Sequence, residues 1–181
     1  FNILDSMLNS FIVTIVSVFI IAVLGVFASF AFAKMRFRGK ELIKLCIMMT
    51  LFIPMQVTMI PMYAMFSKLG LIDSYAGVIV SYVSVGLPST IMLMTTFFKQ
   101  IDNGILEAAK IDGAGPVGVF LRIIIPLTTT GIATLVCLTF NGVWNDYMGP
   151  MIYLDSDELR TIQLGLATFR RQYDTNYGAI M

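Results

Sequence analysis

Apolar and polar positions are segregated along this chain rather than alternated. Four windows, 6–33, 45–67, 74–98 and 123–145, contain no Lys, Arg, Asp or Glu. Each reaches the roughly 20 residues that cross a bilayer as a helix. They are rich in Ile, Val, Leu, Phe and Met, with Gly, Ser and Thr interspersed. That mixture suits helices packing on one another in lipid. A membrane β-barrel is excluded, because its strands alternate over about 10 residues and these runs are continuous. The pattern predicts an all-α membrane protein with four spans in one transmembrane domain over 1–181.

The charged segments between the windows predict orientation. Lys34, Arg36, Arg38, Lys40 and Lys44 lie between the first two windows, against Glu41 alone. Lys and Arg concentrate in cytoplasmic loops, so this segment is predicted inside. The 68–73 loop is neutral, and Asp146, Asp155, Asp157 and Glu158 follow the fourth window. Neither has a positive excess, so both fall outside. The remaining inside loop is 99–122, the longest segment between two windows.

Composition sharpens this. The 181 residues are 57% hydrophobic and 13% charged, about half the roughly 25% charge of soluble domains. A soluble domain, a disordered chain and a disulfide-stapled secreted domain are excluded. A net charge of +1 gives no reason to expect nucleic acid. With no His in the chain, His-based general catalysis and His metal ligation are excluded, and no cofactor is implied. Cys46 and Cys137 are expected to be buried small apolar residues, not a disulfide. The chain begins at Phe1 and stops within the mildly apolar run 177–181, which reads as part of a longer chain.

Pro54 and Pro61 lie in the second window and Pro88 in the third. A proline inside a helix removes a hydrogen bond and kinks it. Such bends serve either gating or static packing. Gln56, Thr58, Asn141 and Asn145 are polar within windows. They are candidates for a substrate pathway, with interhelical hydrogen bonding as the alternative. Trp144, Tyr147 and Tyr153 are candidate interface anchors.

The 99–122 loop predicts two short helices around a bend. Asp102 or Asn103 can cap the first, over 105–111. Gly113 can end it in a left-handed conformation, and Pro116 can open the second. That second helix leads through Arg122 into the fourth span. Ile105, Leu106 and Ala109 share a face. A two-turn helix is unstable alone and needs a docking surface.

Glu107-Ala108-Ala109, three residues, Gly113, nine residues, then Ile123-x-Ile125-Pro126 resembles the EAA signature of ABC importer permeases. Ile125 stands where Leu is usual. The wider runs EAAKIDGA (107–114), AKMRFRG (33–39), IPMQVTMIP (53–61) and FNGVWNDY (140–147) are similar to binding-protein-dependent sugar permeases of the MalG-like branch.

The resemblance implies a type I importer transmembrane domain of MetI-like fold. Of about six helices, the second through fifth would be present, with the loop as a cytoplasmic coupling helix. It implies an ATPase-coupling set of Glu107, Ala108, Ala109, Asp112, Gly113 and Arg122. Glu107 would meet the ATPase, the alanines would permit close approach, and Gly113 would make the bend. Asp112 and Arg122 are either supports or ordinary solvated charges. The implied partners are an ABC ATPase dimer, a second permease subunit, an extracytoplasmic solute-binding protein facing 147–159, and a sugar. The implied location is the bacterial cytoplasmic membrane, as a multi-pass protein. Glycerol-3-phosphate or another small solute is an alternative cargo.

Two other classes fit less well. An ion-coupled transporter usually carries ionisable residues inside its spans, and these windows hold none. An intramembrane enzyme needs a nucleophile and base or a metal set. No Gly-Lys-Ser/Thr phosphate loop occurs, so the chain itself is read as a non-catalytic subunit.

Overall fold

A computed structural model of the chain describes residues 3–172, and those residues form helices and no strand. The run 177–181 lies outside the described residues. The first window becomes α1 (Ile3–Lys34), with Asp5 in its first turn and Lys34 in its last, both favourable to the helix dipole. The third becomes α4 (Tyr75–Lys99), which carries Pro88 internally. These two are long and apolar enough to cross a bilayer as single helices.

The second and fourth windows differ from the continuous spans expected. The second is α2 (Lys40–Thr50) and α3 (Met55–Leu69). The amides of Leu51 and Phe52 close short turns on Met48 and Met49. Ile53 precedes Pro54, and a residue before proline is pushed out of the helical region. Pro54 therefore starts a helix instead of kinking one, whereas Pro61 lies inside α3.

The fourth window is entered through α6 (Pro116–Val119) and a π-helical turn at Phe120–Ile124. It then runs through α7 (Ile125–Leu127) into α8 (Thr129–Trp144). The path bends by 74° between Val117–Leu127 and α8. Pro126 has no amide hydrogen, and the Thr128 hydroxyl back-bonds to the Ile124 carbonyl at 2.7 Å. The Thr129 hydroxyl does the same to Pro126. Proline and back-bonding threonine are recognised causes of helix bending. Between α4 and α6 lies α5 (Asn103–Ile111), and after α8 come α9 (Met148–Tyr153), a 3-10 turn at Asp157–Leu159 and α10 (Ile162–Gln172).

The helices group into two compact units. One holds α1 through Phe19, Ile53–Val85 and the chain from Thr139. Val13, Phe66, Val78, Tyr82, Tyr153 and Leu154 form its core. Its loops are fastened by polar hubs. Asn9 donates to the Glu158 and Arg160 carbonyls and accepts from the Tyr75 hydroxyl. Asp146 caps α9 through the Met148 and Gly149 amides and accepts from the Tyr82 hydroxyl at 2.9 Å. Tyr153, proposed as an interface anchor, is instead core, with its ring 5.3 Å from Phe66.

The other unit holds Ile20–Phe52 and Gly86–Leu138. Val26, Met94, Phe98, Leu106, Phe120 and Ile124 lie in its core. Phe120 meets Phe27 at 4.8 Å and Phe30 at 5.0 Å. Small residues bring α1 against α4. A Cβ on Gly25 would lie 2.1 Å from Thr90 Cγ2, and the Ser29 hydroxyl donates to Ile91 O of α4 at 3.2 Å.

Along α1 small polar residues share the buried positions with Val13, Val18, Ile21, Val26 and Phe32, and several large apolar residues face out. Ser6, Ser10, Thr14, Ser17 and Ser29 are buried, while Phe11, Phe19, Leu24 and Phe27 are exposed. Soluble domains bury such large apolar residues and expose the polar ones. The outward apolar face fits lipid or another apolar chain. Cys46 and Cys137 are free thiols, but both are exposed, contrary to expectation. Windows that turn apolar residues outward as well as inward carry no burial signal for an isolated Cys.

Candidate coupling site

α4 runs out at Lys99, and the Asp102 carboxylate accepts from the Gly104 amide at 2.8 Å. Asp102 is therefore the cap of α5, satisfying an amide that has no intrahelical partner. The alternative cap, Asn103, is engaged elsewhere: its Oδ1 accepts from Lys34 Nζ at 2.9 Å. Lys34 also donates to the Ile101 carbonyl at 2.6 Å.

The far end of α5 closes as the sequence predicts. Gly113 adopts φ 81°, and the Ala114 amide reaches back to the Ala109 carbonyl at 2.9 Å. That six-to-one bond with a left-handed glycine is the Schellman arrangement. The second helix opens at Pro116, with the Val119 amide bonded to the Gly115 carbonyl at 3.0 Å.

Between these closures α5 has two faces. Leu106 and Ala109 are buried in the core with Val119 and Phe120. Glu107, Ala108 and Ile111 are exposed. Ile105, expected beside Leu106, is exposed as well and lines a cleft of about 380 Å³ with Phe97, Gln100, Asp102 and Leu127. The alanine pair is thus divided: Ala109 packs inside its own unit and Ala108 points out. Asp112 follows the helix and Arg122 sits in the π turn, both exposed.

The pathway candidates lie in the other unit. Gln56 is exposed, and Thr58 is half-buried with its hydroxyl donating to the Met55 carbonyl at 2.7 Å. Asn141 and Asn145 are exposed one turn apart, with Asn145 Nδ2 donating to the Asn141 carbonyl at 2.9 Å. Trp144 stacks on Phe140 at 5.6 Å. It lines an apolar cleft of about 400 Å³ with Met7, Leu8 and Phe11.

Sequence reasoning counted Lys34 only as an inside charge and assigned Asp73 no role. Asp73 ties two loops together from φ 55°. Its amide donates to the Tyr153 carbonyl at 2.8 Å. Its Oδ1 accepts from the Asp155 amide, the Ser156 amide and the Ser156 hydroxyl, all within 3.0 Å. The Ser156 amide, then its hydroxyl, then the Asp155 amide hold this carboxyl below the usual range. Nothing in the local sequence marks Asp73, since its partners lie 80 or more residues away.

Known proteins resemble this chain over nearly its whole length. A probable ABC transporter permease of Bacillus subtilis, YurM, is 32% identical over 96% of this chain and 58% of its own length. NgcG of Streptomyces coelicolor, a diacetylchitobiose uptake permease, is 29% identical over 99% of this chain and 60% of its own. AraQ of Bacillus subtilis, an arabinooligosaccharide transport permease, is 26% identical over 98% and 61%. The chain therefore spans about three fifths of the length of these relatives. A chain from the crystal structure of a bacterial ABC transporter that imports the acidic polysaccharide alginate superposes with TM-score 0.86 at 27% identity. The superposition covers 97% of this chain and 62% of that one. Matching over residues 21–181, the chain belongs to the family of binding-protein-dependent transport system inner membrane components, the permeases of ABC importers.

Proposed function

We propose that this chain is the translocating core of a sugar permease that takes its energy from a separate ATPase through α5. The observation that carries the reading is the construction of α5 itself. It is capped by Asp102, closed by Gly113, anchored by Leu106 and Ala109, and it presents Glu107, Ala108 and Ile111 outward. A nine-residue helix held this firmly, with an exposed face of one acid and small or apolar residues, suits insertion into a groove of a partner. Glu107 supplies a charged contact, Ala108 the close approach, and Asp112 and Arg122 flank it. Ala109 and Gly113 act from within, by holding the helix.

A carbohydrate cargo is supported by the names of the relatives, which transport diacetylchitobiose and arabinooligosaccharides, and by the alginate importer. Gln56, Thr58, Asn141 and Asn145 are the hydrogen-bonding groups offered to it. The working assembly would add a second permease subunit, a paired ATPase and an extracytoplasmic solute-binding protein facing 147–159. It would sit as a multi-pass protein in a bacterial cytoplasmic membrane, with 34–44 and 99–122 inside. The test is uptake of labelled oligosaccharides by cells carrying the full-length permease. Glu107→Lys should abolish uptake with membrane content unchanged, and normal uptake in that variant overturns the coupling assignment.

A further inference from the structure

Lys34 is the last residue of α1, yet its ammonium bonds to a segment 67 and 69 residues further on. Both acceptors lie at the entry to α5. The Ile101 carbonyl sits between α4 and α5, where the regular helical donors have run out. Asn103 is the first residue of α5. The helix dipole does not explain a cation there, because helix N-termini repel positive charge. Two acceptors and the neighbouring Asp102 charge do explain it. Charge-assisted bonds of this kind are shorter and stronger than neutral ones. The opposite end and the inner face of α5 are already fixed by Gly113, Leu106 and Ala109.

We propose that Lys34 is a positioning residue, a latch that joins the end of α1 to the start of α5 so that the two move as one body when a partner displaces α5. This rests on the coupling reading of α5. It adds a residue outside the EAA motif on which coupling depends. It also gives the route by which displacement of a nine-residue helix reaches the long α1 without passing through α4.

The test uses the full-length permease, with Cys46→Ser and Cys137→Ser and a nitroxide attached at Ile105→Cys, in the first turn of α5. Lys34→Ala and Asn103→Ala should each introduce a mobile spectral component, and Lys34→Arg should restore the wild-type line shape. In unlabelled protein co-expressed with its ATPase, Lys34→Ala should retain about tenfold less ATPase on purification, the scale of a lost charged hydrogen bond. Unchanged line shapes in both Lys34→Ala and Asn103→Ala overturn the latch. Should Lys34→Ala not be recovered from membranes, Asn103→Ala decides. If Glu107→Lys releases the ATPase while Lys34→Ala and Asn103→Ala both leave the label immobile, coupling stands and the latch falls. If the wild type retains no ATPase yet Lys34→Ala frees the label, the latch stands and the coupling reading falls.

Discussion

Gly113 and Asp73 both sit at positive φ, at 81° and 55°, for different reasons. Gly113 has open space where a Cβ would go, so the constraint there is backbone conformation and not crowding. A β-branched residue in the left-handed region costs about 1–2 kcal/mol. Gly113→Val should therefore fray the end of α5 without unfolding the unit around it. Its expected signature is loss of transport with normal membrane content, read by uptake and immunoblot together. Asp73 tolerates its conformation because three donors converge on its carboxylate. Those donors lower its folded pKa below the unfolded value of about 4. The stabilisation they confer is thus complete above the unfolded value and is lost as pH falls through the depressed folded one. In detergent melts between pH 3 and 6, Asp73→Asn should melt below wild type at the upper end. The difference should shrink towards pH 3. A constant difference across the range would remove the charge from the explanation.

Among the elements, α1 and α4 were legible because charge-free runs flanked by Lys34, Asp73 and Lys99 leave a helix few alternatives. The α5 closure was legible because a left-handed turn selects glycine, and Gly113 occupies it. The breaks in the second and fourth windows were not. A window without charges reports compatibility with lipid, not continuity of backbone. Pro54 reads the same whether it kinks a helix or starts one. The π turn at Phe120–Ile124 has no composition of its own. Helical spacing grouped Ala109 with Leu106, and both are buried, but it could not show that Ile105 turns outward. The long pairings of Lys34, Asp73 and Asn9 were hidden because polar partners far apart in sequence leave no local pattern. At the α1–α4 contact the physics is steric. A Cβ on Gly25 meets Thr90 at 2.1 Å, and overpacking of this kind costs about 1–3 kcal/mol. Gly25→Val should lower the melting temperature of the purified permease more than Ser29→Ala, which removes only hydrogen bonds worth roughly 1 kcal/mol. The reverse order would mean that hydrogen bonding, not close approach, holds these helices.

For the molecule as a whole, the exposed apolar face of α1 and the charge pattern make one joint statement about its surroundings. Phe11, Phe19, Leu24 and Phe27 face outward, and Ser and Thr share the buried positions with Val13, Ile21 and Val26. A water-facing surface of that kind would aggregate, so its environment must be apolar. On the proposed topology the basic stretch from Lys34 to Lys44 would put that end of α1 in the cytoplasm. Two exposed positions separate this orientation from its reverse: Ile111 on α5, and Asp157, whose side chain is 82% exposed beside Arg160. In full-length protein with Cys46→Ser and Cys137→Ser, a membrane-impermeant maleimide applied to intact cells should label Asp157→Cys and spare Ile111→Cys. Inside-out vesicles should give the opposite result. Labelling of both positions from one side would require an even number of crossings between them. That would make the bent Val117–Leu127 and α8 pair a re-entrant segment instead of a span. The experiment therefore decides at once the sidedness of α5 and whether the 74° bend interrupts a crossing or turns the chain back.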